Sequence, residues 1–208
     1  HPKGILFWRN MTEWLGGMGI IVLFIAILPR LGVAGRQMFR AEVPGPQEDK
    51  LKPRIRETAK ILWMVYIVIS IAEAVALKLA GLSVYDAVTH TFTTVSCGGF
   101  SPYARTIEAF SSPLVEVILI VFMFISGANY ALHYKTLYVD KGSLLKDNEF
   151  KFYSIVVLLA TALLTVILWR DINVTFVESL RYAAFQVLTI LTTTGYATTD
   201  FVFWSSSA

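Results

Sequence analysis

Thr93-Thr94-Val95-Ser96-Cys97-Gly98-Gly99-Phe100-Ser101 interrupts an apolar region with hydroxyls and glycine. Further along, Thr189-Ile190-Leu191-Thr192-Thr193-Thr194-Gly195-Tyr196-Ala197 has the same character. A shift of 96 residues lays one on the other. Thr93 then meets Thr189, Ser96 meets Thr192, Gly99 meets Gly195 and Phe100 meets Tyr196; upstream, His90 meets Gln186 and Phe92 meets Leu188. A repeat of this length, with apolar segments around each copy, points to a duplicated unit.

The chain has 208 residues, 55% hydrophobic and only 16% charged. A soluble domain of this size carries more charge and less apolar surface. The expected class is an all-α integral membrane protein. The net charge of +3 is small, so its distribution matters more than its sum. Cys97 is the one cysteine, which leaves no internal disulfide.

Outward from the two stretches, the chain reads as spans and loops. Phe7, Trp8 and Trp14 have the composition of a membrane interface. Trp14 to Leu28 carries no charge and reads as a tilted span. Gly16, Gly17 and Gly19 there read as close helix packing. They do not read as a nucleotide loop, since no strand precedes them. Arg30 to Lys60 is polar, broken by Pro44, Gly45, Pro46 and Pro53, and rich in Lys and Arg, which places it in the cytoplasm. Interspersed acidic residues argue against a nucleic-acid patch. Ile61 to Leu79 is the second span. Lys78 near its end can snorkel outward. Glu73 is costly inside a span, with either a boundary or a functional role.

Tyr85 to Val95 is apolar but too short to cross a bilayer. It leads into the first glycine stretch and a polar return, the pattern of a re-entrant helix and loop. Leu114 to Leu132 reads as the third span, with Asn129 lining a cavity or bonding across helices. Lys135 to Lys151 is again basic and cytoplasmic. Phe152 to Trp169 is the fourth span, and Glu178 to Leu191 the second half-length helix. Both glycine stretches then fall on the external side.

The organisation expected is five parts. Residues 1–32 hold an inner helix of a preceding repeat, and 33–60 a cytoplasmic loop. Residues 61–135 form a complete outer helix, pore helix, filter and inner helix. Residues 136–151 are a cytoplasmic loop, and 152–208 an outer helix, pore helix and filter. A filter around a dehydrated cation needs about four such walls, because oxygens must surround the ion. Two walls in a segment out of phase with its own repeat lead us to expect part of a longer transporter.

Glycine lets backbone carbonyls aim at one axis. Those carbonyls, with Thr or Ser hydroxyls, can replace the water around K+. The expected coordinating carbonyls are those of Ser96, Cys97, Gly98 and Gly99, and of Thr192, Thr193, Thr194 and Gly195. Thr93, Thr94, Val95 and Leu191 would support the loops, with Phe100 and Tyr196 packed behind them. Each pore helix would direct its negative C-terminal end at the cavity. Cys97 reads as a small filler, since nothing nearby would activate its thiol. His90 reads as a packing residue, lacking partner ligands for a metal.

These motifs, together with Phe7 to Leu31, Leu51 to Tyr66, Ser112 to Lys135 and Thr192 to Phe201, resemble the Trk/Ktr/HKT superfamily of potassium transporters, nearest its TrkH branch. The resemblance covers essentially the whole chain. It implies potassium-channel-like repeats, four around one pore, each filter keeping one glycine; here these are Gly99 and Gly195. It implies K+ as the transported ion, no organic cofactor and no enzymatic activity. It implies membrane lipid around the chain in the cell (inner) membrane, a homodimer, and a cytoplasmic nucleotide-binding regulatory subunit of the TrkA/KtrA kind. The family's intramembrane gate in the third repeat, its first filter, its fourth repeat and a basic residue in its last inner helix have no counterpart in this stretch. An alternating-access carrier of a small solute would use similar broken helices but turn helix N-termini to its substrate. An intramembrane enzyme would need paired catalytic groups, which Glu73, His90 and Cys97 do not form.

The charge asymmetry gives an immediate test. Gln47→Cys should react with an impermeant maleimide only when the cytoplasmic face is opened; labelling from outside intact cells would reverse the orientation.

Overall fold

A computed structural model describes residues 2–19, 51–138, 140, 142–171 and 175–198. The described residues are helical throughout, with no strand. They form α1 (residues 3–19), α2 (Leu51–Leu79), α3 (Val84–Val95), a short 3-10 turn (Thr106–Phe110), α4 (Pro113–Ser126), α5 (Tyr130–Tyr138), α6 (Ser143–Lys146), α7 (Asn148–Asp171) and α8 (Phe176–Leu191). Most of the first basic loop and the last ten residues of the chain lie outside the described residues, although positions 51–60 of that loop belong to α2.

Among the described residues, two helices are long and apolar enough to cross a bilayer, Lys60–Leu79 and Asn148–Arg170. Their faces are arranged as lipid requires. On α7, Leu158, Leu159 and Leu163 face outward, while Thr161 and Thr165 are buried. The Thr165 hydroxyl donates to the Thr161 carbonyl within its own helix, while the buried Thr161 hydroxyl has no partner among the described residues. On α2, Met64, Val68, Ile71 and Val75 face outward, while Tyr66, Ser70 and Glu73 are buried. Polar-in, apolar-out is the reverse of a water-soluble bundle.

The half-length helices are α3 and α8. At 12 residues α3 is about 18 Å long. That is short of the ~30 Å hydrocarbon thickness. Each begins on an N-cap. Ser83 Oγ accepts from the Asp86 N–H and Thr175 Oγ1 from the Glu178 N–H. In α8 the Glu178 carboxylate reaches back to the Thr175 N–H, completing a capping box. Those bonds hold the Glu178 carboxyl below its usual range. The two helices end 96 residues apart, in register with the repeat, but α8 starts four residues earlier relative to it. The second copy has one more turn at its outer end.

The outer helices pack on the half-length ones, α2 on α3 and α7 on α8, and α4 lies between α3 and α8. One core joins both units through Leu77, Ala87, Val115, Leu119, Met123, Phe185, Leu188 and Tyr196. Met18, Tyr66 and Val95 form a smaller core with Trp14 and Trp63 packed against it.

The expected third span, Leu114 to Leu132, is two helices. α4 stops at Ser126 and α5 begins at Tyr130. The break is stabilised by side chains. A His133 ring nitrogen lies 2.8 Å from the Ile125 carbonyl, and the Tyr153 hydroxyl donates to the Phe124 carbonyl at 3.3 Å. Gly127 sits at the break. A Cβ there would stand 2.7 Å from both Thr192 Cγ2 and Tyr153 Oη. The chain needs glycine because the broken inner helix runs directly against the second glycine loop.

Glu116 of α4 and Arg181 of α8 come to 2.8 Å, with side chains 9% and 17% exposed. The contact is Coulombic, since neither Arg181 Nε nor Glu116 Oε2 has an aligned hydrogen bond. Removing one partner leaves the other charge buried, at a cost of about 3 kcal/mol. Arg181→Met should therefore lower the unfolding temperature in detergent, and Glu116→Leu/Arg181→Met should recover most of the loss. An uncoupled double-mutant cycle would show that the pair contributes nothing.

Candidate functional site

Each half-length helix ends in a loop with the same backbone. Ser96 and Thr192 close the helices at φ −82°, ψ −6° and φ −86°, ψ 0°. Cys97 and Thr193 then take φ +57° and +60°, and Gly99 and Gly195 take +66° and +79°. The left-handed residues recur at alternate positions in both loops. Cys97 and Thr193 bear a Cβ there, at roughly 1–3 kcal/mol each.

The hydrogen bonds explain how the strain is held. Cys97 N–H donates to the Thr94 carbonyl and Gly99 N–H to the Thr93 carbonyl; in the second loop Thr193 N–H donates to Ile190 and Gly195 N–H to Thr189. All lie between 3.0 and 3.1 Å. Gly98 N–H joins Gly99 on Thr93 at 2.8 Å. These amides fold back onto the last turn of their own helix and satisfy its orphan carbonyls. The carbonyls of the loops are left over. Among the described residues, none of the carbonyls of Ser96, Cys97, Gly98, Gly99, Thr192, Thr193, Thr194 or Gly195 accepts a hydrogen bond. Their neighbours do. Tyr130 Oη donates to Val95, Asn10 Nδ2 lies 3.4 Å from the Phe100 carbonyl, and Thr189 Oγ1 donates to Tyr196. The free carbonyls form two bracketed runs of four.

The two loops touch. A Cβ on Gly99 would collide with the Thr194 carbonyl, and the Cys97 thiol lies beside the Thr194 side chain. Tyr196 fixes the spacing. It is 1% exposed. Its hydroxyl reaches Thr93 Oγ1, Thr94 Oγ1 at 3.2 Å and the His90 carbonyl at 3.0 Å, all on the other unit's half-length helix. Phe100, its counterpart in the repeat, does something different. It is 50% exposed and lies 4.5 Å beneath the Arg9 guanidinium. Packing behind the loop fits Tyr196 and does not fit Phe100.

The hydroxyls at the start of each loop turn away from the carbonyl runs. Ser96 Oγ donates to Phe92 and Thr192 Oγ1 to Leu188, at 2.7 and 2.8 Å. Thr93 and Thr94 are buried behind the loop, as is Val95, while Leu191 is exposed. His90 is buried between Asp86 O at 2.8 Å and Ser101 Oγ at 3.0 Å. Among the described residues no cluster of His, Cys, Asp or Glu could hold a metal ion.

Several residues here were not singled out from sequence. Asn10 is fully buried and its amide reaches both Thr89 O and Phe100 O. Tyr130 closes the end of α3. Glu13 lies against Gly98. Only Asn10 left a trace in the sequence, as a lone amide beside the Trp8 and Trp14 interface. Glu73 is buried with both carboxylate oxygens unbonded. The nearby Thr94 hydroxyl gives its proton to the His90 carbonyl instead, at 2.8 Å.

Comparisons with known proteins agree with this geometry. The TrkH family, described as "Cation transport protein", matches residues 1–208. The Trk system potassium uptake protein TrkH of Salmonella typhimurium is 44% identical over 209 residues, covering 98% of this chain and 43% of that protein. The protein of the same description from Escherichia coli K12 is 43% identical with the same coverage. The crystal structure of the potassium transporter TrkH from Vibrio parahaemolyticus aligns with a TM-score of 0.83 at 37% identity, over 99% of this chain and 42% of that one. The chain thus spans less than half the length of the relatives it matches. An all-α membrane fold of potassium-channel-like repeats, its half-length helices ending in twinned glycine loops, places the chain in the TrkH family of cation transport proteins.

Proposed function

We propose that this chain forms two walls of a filter through which K+ is taken up across the cell (inner) membrane. One observation carries the reading: two runs of four carbonyls free of hydrogen bonds, at the C-terminal ends of two half-length helices. Carbonyls without internal donors are the groups that can replace the hydration shell of a monovalent cation. The helix ends behind them are partially negative, which favours positive charge. A carrier of anionic solutes would present helix N-termini instead. The relatives are named as potassium uptake proteins, which supports K+ as the ion.

The reading extends to the whole protein. The remaining walls come from sequence outside this stretch, as the coverage of the relatives suggests. The basic segments 33–60 and 136–151 face the cytoplasm and dock a nucleotide-binding regulatory subunit. The protein works as a homodimer in lipid and performs no covalent chemistry. Orientation rests on the Lys and Arg asymmetry; dimer and subunit rest on the family resemblance.

Gly99→Ser and Gly195→Ser test the filter. Both require positive φ, so either Cβ twists a carbonyl out of line. Gly99→Ser should be the more severe, because its Cβ meets the Thr194 carbonyl while nothing lies within 4 Å at Gly195. The expected result in the native transporter is about a tenfold loss of rubidium-over-sodium preference, equivalent to about 1.4 kcal/mol. Gly16→Ser is the reference, with open space around it; Gly127→Ser is unsuitable because it strikes Thr192. Unchanged preference in both loop variants would sink the proposal.

Tyr196→Phe tests the brace between the walls. It removes one hydroxyl with three partners and should cost about 1–2 kcal/mol of stability. Sodium leak should rise while expression stays near normal. A variant that matches wild type in both thermal unfolding and ion preference would show that the brace is idle.

A further inference from the structure

Gly98 is a glycine for a different reason from its neighbour. Its φ is not positive, unlike those of Gly99 and Gly195. A side chain there would displace the carboxylate end of Glu13 on α1. A Cβ at Gly98 would stand 2.8 Å from Glu13 Oε2, 3.0 Å from Cδ and 3.3 Å from Oε1. The carboxylate occupies the space that a side chain would take.

One oxygen of that carboxylate has no hydrogen-bond donor among the described residues. Glu13 Oε2 is buried and without a hydrogen bond. The loop amides that could have served it donate to Thr93 and Thr94 instead. Arg9, one turn earlier on the same helix, interacts with it through space but is engaged elsewhere. Its guanidinium donates to the Ser101 carbonyl at 3.1 Å and to Asn10 Oδ1 at 3.3 Å, and lies over the Phe100 ring. Among the described residues, no carboxylate stands against the second loop in the same way. Thr194 stands at the position of Gly98, and its hydroxyl pairs with Thr192 Oγ1 at 2.8 Å.

We propose that Glu13 is an affinity-determining residue of the first wall: its carboxylate, packed behind the Gly98 peptide, acts as counter-charge to the monovalent cation held by the free carbonyls. This rests on the filter reading above. A carbonyl ring selects by geometry, which a charge behind it does not alter. The negative charge of an ionised carboxylate a few ångströms away in a partly polar medium strengthens cation occupancy. Glu13 thus sets how readily the ion enters, and the glycine backbone sets which ion fits.

The experiment is rubidium influx through the native full-length transporter, with sodium influx in parallel. Glu13→Gln keeps shape and removes charge. It should raise the KM for rubidium about threefold to tenfold while the maximal rate and the rubidium-to-sodium preference stay near wild type. Gly98→Ala should impair flux through collision with the carboxylate. Glu13→Ala/Gly98→Ala should recover the maximal rate but keep the raised KM. A wild-type KM in Glu13→Gln overturns the charge role, and a double variant no better than Gly98→Ala overturns the contact. Gly195→Ser in the same assay separates the two ideas. If its ion preference shifts while Glu13→Gln is silent, only the counter-charge fails; if Gly195→Ser leaves preference unchanged, the filter reading fails first.

Discussion

The amides of both glycine loops fold back onto the last carbonyls of the helix that carries them, and the rest of the structure depends on that arrangement. The helix end needs donors, because its final carbonyls have no partner in the next turn. The loop supplies them by alternating left-handed residues at 97 and 99, and again at 193 and 195. Turning the N–H groups inward leaves the carbonyls facing away. One hydrogen-bond requirement thus terminates the helix and exposes a run of acceptors.

The strain of that backbone is resisted by contacts from several other elements. Tyr130 closes the first helix end, and Asn10 holds the residue after the loop. Tyr196 carries the second loop's position onto the first unit's helix. α4 breaks where it meets Thr192, and Tyr153 and His133 satisfy the carbonyls released by the break. The duplicated units are therefore not equivalent. One has a tyrosine brace where the other has a half-exposed phenylalanine under an arginine, and one has a carboxylate where the other has a threonine hydroxyl. A pore assembled from unequal walls can divide affinity and selectivity between them.

Much of this was legible in the order of residues. The hydropathy marked four spans, two half-length helices and the loops between them, because bilayer thickness limits what an apolar segment can be. The shift of 96 aligned Gly99 with Gly195, and the backbone repeats at that same interval, because positive φ restricts the residue type wherever it occurs. The third span was misread as continuous. Ser126 to Asn129 carries no charge and no proline and so passed for helix, but α4 ends with Gly127 as its C-cap, where the chain meets Thr192 of the neighbouring loop.

Tertiary structure alone decided the rest. Gly98 and Gly99 look alike in the sequence, yet only Gly99 holds a positive φ, while Gly98 faces the Glu13 carboxylate. Phe100 and Tyr196 align, yet only Tyr196 is buried, since only its hydroxyl finds Thr93, Thr94 and His90 across the unit boundary. Sequence determined the class of the fold and the chemistry of the loops, because both follow from hydrophobic length and backbone freedom. Which polar side chain stands behind which carbonyl run depends on contacts between residues far apart in the chain, such as Glu13 with Gly98 and Thr93 with Tyr196, and those distances exist only in the packed molecule.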